Sequence, residues 1–227
     1  MAMKKIVAQT CPNCGEYFDI EAFEVINVTL DTSLRDEVLN GRIFDFTCPE
    51  CRYWFRNPYS MVYKDMEKEF TIILDLKNNE ALKTENEAKE DLTRETLELF
   101  PTYRIRVVTD MTDFIEKIHI FSADLNDRVI AYLDHKIKRY MIAKMEKEKS
   151  PIQINRVVFD SLNGNEERVN FGVFGSSPTP IIMNMPLRDY EYLLKKSPLK
   201  ESFKEQPGEY IVDKDWAEET DRPISSY

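Results

Sequence analysis

Cys11-Pro12-Asn13-Cys14-Gly15 and, 33 residues further on, Cys48-Pro49-Glu50-Cys51-Arg52 carry all four cysteines of this 227-residue chain. A Cys-x-x-Cys turn sets two sulfurs on one side of a tight loop, so two such turns supply the four donors of a tetrahedral site. Proline fixes the entry into each turn, and Gly15 can take the positive backbone angle that closes the first. Arg52 stands where the second turn wants a glycine, which predicts either a strained residue or a turn of another kind. The long intervening loop is no obstacle. Each doubling of loop length costs only about 0.6 kcal/mol of closure entropy, whereas a structural zinc contributes on the order of 10 kcal/mol. The expectation is one structural Zn2+ held by Cys11, Cys14, Cys48 and Cys51, with no open coordination position at which to activate water. The alternative is a thiol redox pair. That chemistry wants a single Cys-x-x-Cys opening a helix after a strand, and here two pairs recur with strand-like residues after Cys14.

Outward from the cysteines, Tyr17 to Thr29 is rich in aromatic and β-branched residues, and Arg42 to Thr47 and Met61 to Leu76 offer further strand material. Between them, Asp31 to Gly41 reads as a short helix capped by Thr32 or Ser33 and stopped by Gly41. Residues 77–100 form a charged segment with a thin apolar stripe, read as a solvated helix or a connector, and Pro101 ends it. A strand from Tyr103 to Thr109 precedes a helix from Thr112 to Phe121. A longer helix follows from Leu125 to Glu148, with Leu125, Val129, Leu133, Ile137, Tyr140 and Met141 on one face. Lys144, Lys147 and Lys149 crowd its end, where cations complement the last carbonyls. Gln153 to Asp160 and Arg168 to Phe174 read as a hairpin. A Ser- and Pro-rich loop and a short helix from Leu187 to Lys196 follow. The acidic end around Trp216 reads as a solvated tail, which Trp216 could still anchor.

Composition narrows the function. With 42% hydrophobic residues the chain can bury a core. The formal net charge is −10, which repels phosphate backbones. Residues 1–70 hold eight basic against twelve acidic side chains, a net of −4, so nucleic acid is a disfavoured partner. Arg52-Tyr53-Trp54-Phe55-Arg56 nevertheless interleaves aromatics with arginines, which could stack on bases. The expectation for Trp54 is instead a ring packed beneath the cysteine turns, where large aromatics dominate small cores. No phosphate loop, nucleophile elbow or His-Glu-x-x-His is present. The glycines of Gly172-Val-Phe-Gly175 are expected to serve a bend. His119 and His135 fall in predicted helices as ordinary helix residues. No stretch approaches a membrane span or a signal-peptide core, so the expected location is the cytoplasm, without membrane contact.

The paired motifs, the segment Ser33-Leu-Arg-Asp-Glu-Val-Leu-Asn-Gly41 between them and Met61-Val-Tyr-Lys-Asp65 after them resemble the CpXC family. Tyr103-Arg-Ile-Arg-Val-Val-Thr-Asp110, Phe114-Ile-Glu-Lys-Ile-His-Ile-Phe121 and Leu125-Asn-Asp-Arg-Val-Ile130 look similar to its second half, so the resemblance spans roughly residues 7–145. It implies an architecture more than a mechanism. Tyr63 and Asp65 match the family's Tyr-x-Asp, either as a polar pocket or, on turn propensity, as a strand end and turn. Glu116 and Lys117 match its Glu-Lys-Ile and are expected on a solvated helix face.

The expected fold class is α+β: a zinc-ribbon-like antiparallel sheet over residues 1–76, a charged connector and helical half over 77–150, a hairpin and helix over 151–206, and an acidic tail over 207–227. The expected function is a non-enzymatic, zinc-stabilised binding or adaptor module whose partner is another protein. A nucleic-acid-associated ribbon using Arg52, Trp54 and Arg56 is the alternative from another class, and a thiol redox protein the third.

Overall fold

The computed structural model describes residues 2–76, 102–206 and 208–222. The protein is α+β, and the chain divides into two compact units, Met1–Ile118 and His119–Tyr227. The charged segment at 77–100 lies outside the described residues.

In the first unit, β1 (Met3–Thr10) and β2 (Tyr17–Asn27) form an antiparallel hairpin closed by the first cysteine turn. A one-and-a-half-turn helix α1 (Leu34–Leu39), a 3-10 turn (Arg42–Phe44) and a small hairpin of β3 (Asp45–Thr47) and β4 (Trp54–Arg56) follow. Gly41 stops α1 as expected, at φ 69°, whereas Ser33 occupies the cap position without a side-chain cap bond. Next come β5 (Met61–Asp65), β6 (Phe70–Leu74), β7 (Arg104–Val108) and helix α2 (Met111–Ser122), within which the division between the units falls.

The main sheet has the order β1-β2-β5-β6-β7. It is mixed, not wholly antiparallel, because β2 runs parallel to β5 and β6 parallel to β7. Parallel neighbours need a crossover of a dozen or more residues. For β2 and β5 that crossover is the stretch carrying α1 and the second cysteine hairpin, so the two halves of the cysteine site belong to different sheets. Every residue of β6 is buried. On one face of the sheet, register places Ile26, Tyr63, Ile72 and Arg106 side by side. Tyr63 stacks on Phe70, with centroids 5.8 Å apart, and meets Phe114 of α2 edge-on. Glu116 and Lys117 are buried, a correction to the solvated face expected of them. The reason is that α2 has almost no solvated face at all: Thr112 alone of its residues is exposed.

In the second unit, helix α3 (Asp127–Lys147) packs on a three-stranded antiparallel sheet of order β10-β9-β8, built from β8 (Ile154–Asn163), β9 (Arg168–Gly175) and β10 (Ile181–Pro186). Val169, Phe171 and Val173 are all buried, as their alternation predicts. At Gly175 an added Cβ would sit 2.0 Å from the Gln153 carbonyl oxygen, so this glycine serves a close backbone approach. Of the face expected on α3, Leu125, Val129, Leu133 and Met141 are buried, but Tyr140 is 57% exposed, whereas Tyr132, not expected on that face, is buried.

Helix α4 (Leu187–Lys195) follows β10, and the acidic end folds into a further helix, α5 (Lys214–Asp221), which packs on α3. Asp213 caps α5, its side chain accepting bonds from the Asp215 and Trp216 amides. Asp221, only 9% exposed, accepts from Lys136 at 2.9 Å and Arg139 at 2.5 Å and lies 3.3 Å from both His135 and the Tyr132 hydroxyl. The solvated tail expected there is therefore corrected: Asp221 points at a helix that presents cations to it, while Asp215, Glu218 and Glu219 stay exposed. Trp216 anchors the segment through Nε1, which donates to Glu209, and through its ring, 5.4 Å from the wholly buried Arg128 guanidinium. Arg128 pairs in turn with Glu209 and Glu205.

Candidate metal centre

The two cysteine turns are one motif built twice. In the first, the Cys11 amide donates to the Glu16 carbonyl at 2.9 Å, and the Gly15 amide to the Cys11 carbonyl at 2.9 Å. In the second, the Cys48 amide donates to Tyr53 at 3.0 Å, and the Arg52 amide to Cys48 at 3.1 Å. Gly15 sits at φ 77° and Arg52 at φ 61°. Of the two outcomes open to Arg52, the chain takes the left-handed conformation and keeps the turn. A non-glycine residue there costs about 1 kcal/mol or more.

The structure brings all four sulfurs together, each within 4.8 Å of every other. Cys11 and Cys51 are 3.6 Å apart and Cys14 and Cys48 3.7 Å, and both contacts cross between the turns. Tetrahedral corners at about 2.3 Å from one ion lie about 3.8 Å apart. The donor set therefore fits a four-coordinate metal ion. Cys11 and Cys48 are buried, Cys14 and Cys51 exposed, and all four are free thiols. His119 and His135 have no part in the cluster.

Charge explains why such a cluster wants a cation. The Asn13 amide, donating to Cys51 Sγ at 3.5 Å, and then the Tyr53 backbone hold the Cys51 thiol down to about 6. At Cys14 the Glu16 backbone bond favours the thiolate but is outweighed by partial desolvation and by the sulfurs of Cys51, Cys11 and Cys48, and the thiol is pushed up to about 12. The neighbouring sulfurs thus disfavour the Cys14 thiolate, and a divalent cation inverts that repulsion.

The side chains around the turns follow the same duplication. Phe18 and Phe55, each four residues past its turn's second cysteine, meet edge-on with centroids 6.3 Å apart. Phe46 and Tyr59 extend the cluster, and the Tyr59 hydroxyl ties two segments together, accepting from the Phe23 amide and donating to the Ile43 carbonyl. Tyr17 and Trp54, one residue earlier in each copy, are 76% and 57% exposed. Trp54 thus does not pack beneath the turns. Successive strand residues face opposite ways, and the pairing of Phe46 with Phe55 gives the inner position to Phe55, 8% exposed. Tyr53 is also exposed. Arg56 is engaged, its guanidinium gripping Asp45 at 2.6 and 2.9 Å.

Tyr63 and Asp65 are both fully buried. Asp65 pairs with Arg35 at 2.8 Å and accepts from the Glu67 and Lys68 amides at 3.1 Å, closing the turn into β6. Burial raises the Tyr63 phenol well above its ordinary range, and its hydroxyl has no hydrogen-bond partner among the described residues.

No curated protein and no solved structure matches the chain. The family model described as CpXC protein matches residues 9–134, more than half of the chain, and takes in all four cysteines. The chain belongs to the CpXC family.

Proposed function

We propose that this protein is a non-enzymatic binding module whose ribbon is held by one structural zinc ion and whose partner is another protein. The observation that carries the reading is the closed set of four sulfurs, two of them buried, with no further donor in the cluster among the described residues. Such a set favours zinc among common divalent ions and leaves no position for substrate or water. Its role is then to fix the two turns and the aromatic residues they carry. The exposed Tyr17, Tyr53 and Trp54 support a contact surface at that end of the ribbon, since large aromatics dominate protein contacts.

Metal analysis of protein purified without chelator is expected to give one zinc per chain, and metal-free protein with a disulfide between Cys11 and Cys14 would favour the redox reading instead. Capture from the native host with wild-type and Trp54→Ala chains, both folded, tests the partner: the same proteins retained by both would remove Trp54 from the contact.

Nucleic acid is the second reading, favoured by the exposure of Tyr53 and Trp54 beside Arg52. Against it stand the net acidity of the ribbon and the engagement of Arg56 by Asp45. Binding of labelled single-stranded DNA across a salt series separates the two, because phosphate contacts impose a salt slope.

A further inference from the structure

The two turns are duplicated in backbone, in cysteines and in flanking aromatics, but they differ at the residue before the second cysteine. In the first turn this is Asn13, in the second Glu50. The Asn13 amide reaches across to the opposite turn and donates to Cys51 Sγ at 3.5 Å. Glu50 stands where the reciprocal bond to Cys14 would start, and a carboxylate has no hydrogen to give and repels a thiolate. Neither Cys14 nor Cys51 is buried, so solvent reaches both sulfurs. The cross-turn donor distinguishes them.

We infer that Asn13 is a positioning residue that makes the four-sulfur centre asymmetric: it locks Cys51 to the first turn and leaves Cys14 as the thiolate that opens when metal is exchanged. The inference rests on the metal reading above and concerns how the ion is kept. An N–H donated to a ligating sulfur disperses its charge and fixes its direction, and partners of this kind hold metals more tightly by about 10- to 100-fold. Because the Asn13 bond lies at the surface, its loss belongs at the lower end of that range. Opening at Cys14 breaks one metal–sulfur bond and leaves three sulfurs bound, with Asn13 still holding Cys51.

The test uses the full-length zinc-loaded chain and follows transfer of zinc to a chromogenic chelator, together with limited alkylation by N-ethylmaleimide read by peptide mapping. Asn13→Ala is expected to release zinc about tenfold faster, and wild-type protein to be alkylated first at Cys14. Glu50→Asn, which installs the missing donor in the second turn, is expected to slow release and to remove the preference for Cys14. This gain cannot come from a folding defect. Release from Asn13→Ala at the wild-type rate, or first alkylation at Cys51, overturns the inference while leaving the metal reading intact. Wild-type protein that holds no metal overturns the metal reading itself.

Discussion

Side chains at equivalent steps of the two turns share a fate and those at successive steps have opposite ones, and this sets the expected effects of mutation. Phe55 and Phe18 face each other inside the ribbon, whereas Trp54 and Tyr17 face out. Phe55→Ala should therefore destabilise the protein by about 3–5 kcal/mol, as truncation of a buried ring does. Trp54→Ala should stay within about 0.5 kcal/mol, as surface substitutions do. Denaturant unfolding of both variants checks the pair, and a large loss at Trp54 would reverse the assignment. Arg52→Gly should stabilise the folded chain by about 0.5–1 kcal/mol, the left-handed penalty less the extra freedom of glycine in the unfolded chain. A lower melting temperature would show that the Arg52 side chain contributes more than its backbone costs. The need for a positive angle after Cys51 was readable from Gly15 in the other turn. The choice between Trp54 and Phe55 was not, because size ranks both as core residues and only pairing with Phe46 sets the phase of so short a strand.

At the scale of elements, α5 is the part whose stability should respond most directly to acid. Asp221 is partly desolvated, which raises its carboxyl, but Lys136, Arg139 and His135 outweigh this and hold it below the ordinary carboxylate range. A carboxylate depressed in the folded state stabilises above its unfolded value, near 4, and loses that contribution as pH falls through its folded one. With Trp54→Phe as background, the fluorescence of Trp216 should report α5 coming away from α3 as pH drops below about 4. Asp221→Asn should produce the same change at neutral pH, and an unchanged emission in that variant would show that Ala217 and Trp216 hold the helix without the carboxylate. The acids of this segment were legible as a charge run, but their docking was not. A run of like charge reads as solvated until a helix brought from far along the chain presents cations to it. The strands β1 and β10 escaped notice for a related reason. Both are sheet edges, one lysine-bearing and one flanked by prolines, the devices that protect edges and also erase the strand pattern. By contrast, α3 and β9 announced themselves through periodicity, since one face of each meets apolar neighbours.

For the whole molecule, the placement of the cysteine turns fixes how far loss of metal should travel. The first turn closes the β1–β2 hairpin, and the second closes β3–β4 within the crossover that joins β2 to β5. A metal held by the four sulfurs would therefore tie the end of one hairpin to a crossover whose own ladder is three residues a side, too short to persist alone. Strands β5, β6 and β7 have a different source of stability. Tyr63, Phe70, Ile72, Leu74 and Ile105 are almost wholly buried there, and burial of such side chains stabilises by about 1.5–3 kcal/mol each. A strong chelator, or Cys48→Ser, should therefore abolish hydrogen-exchange protection over residues 9–18 and 45–57 and weaken it along β2. Protection should persist over Met61–Leu74 and Arg104–Val108, and over α3 in the other unit. Cys48→Ser leaves three sulfurs and removes much of the free energy that stands in for a core at that end, so the variant and the chelated wild type should lose protection at the same peptides. If Arg104–Val108 lost protection together with the turns, the sheet would unfold as one cooperative body. The metal would then stabilise the entire first unit and not only the ribbon that presents Tyr17 and Trp54.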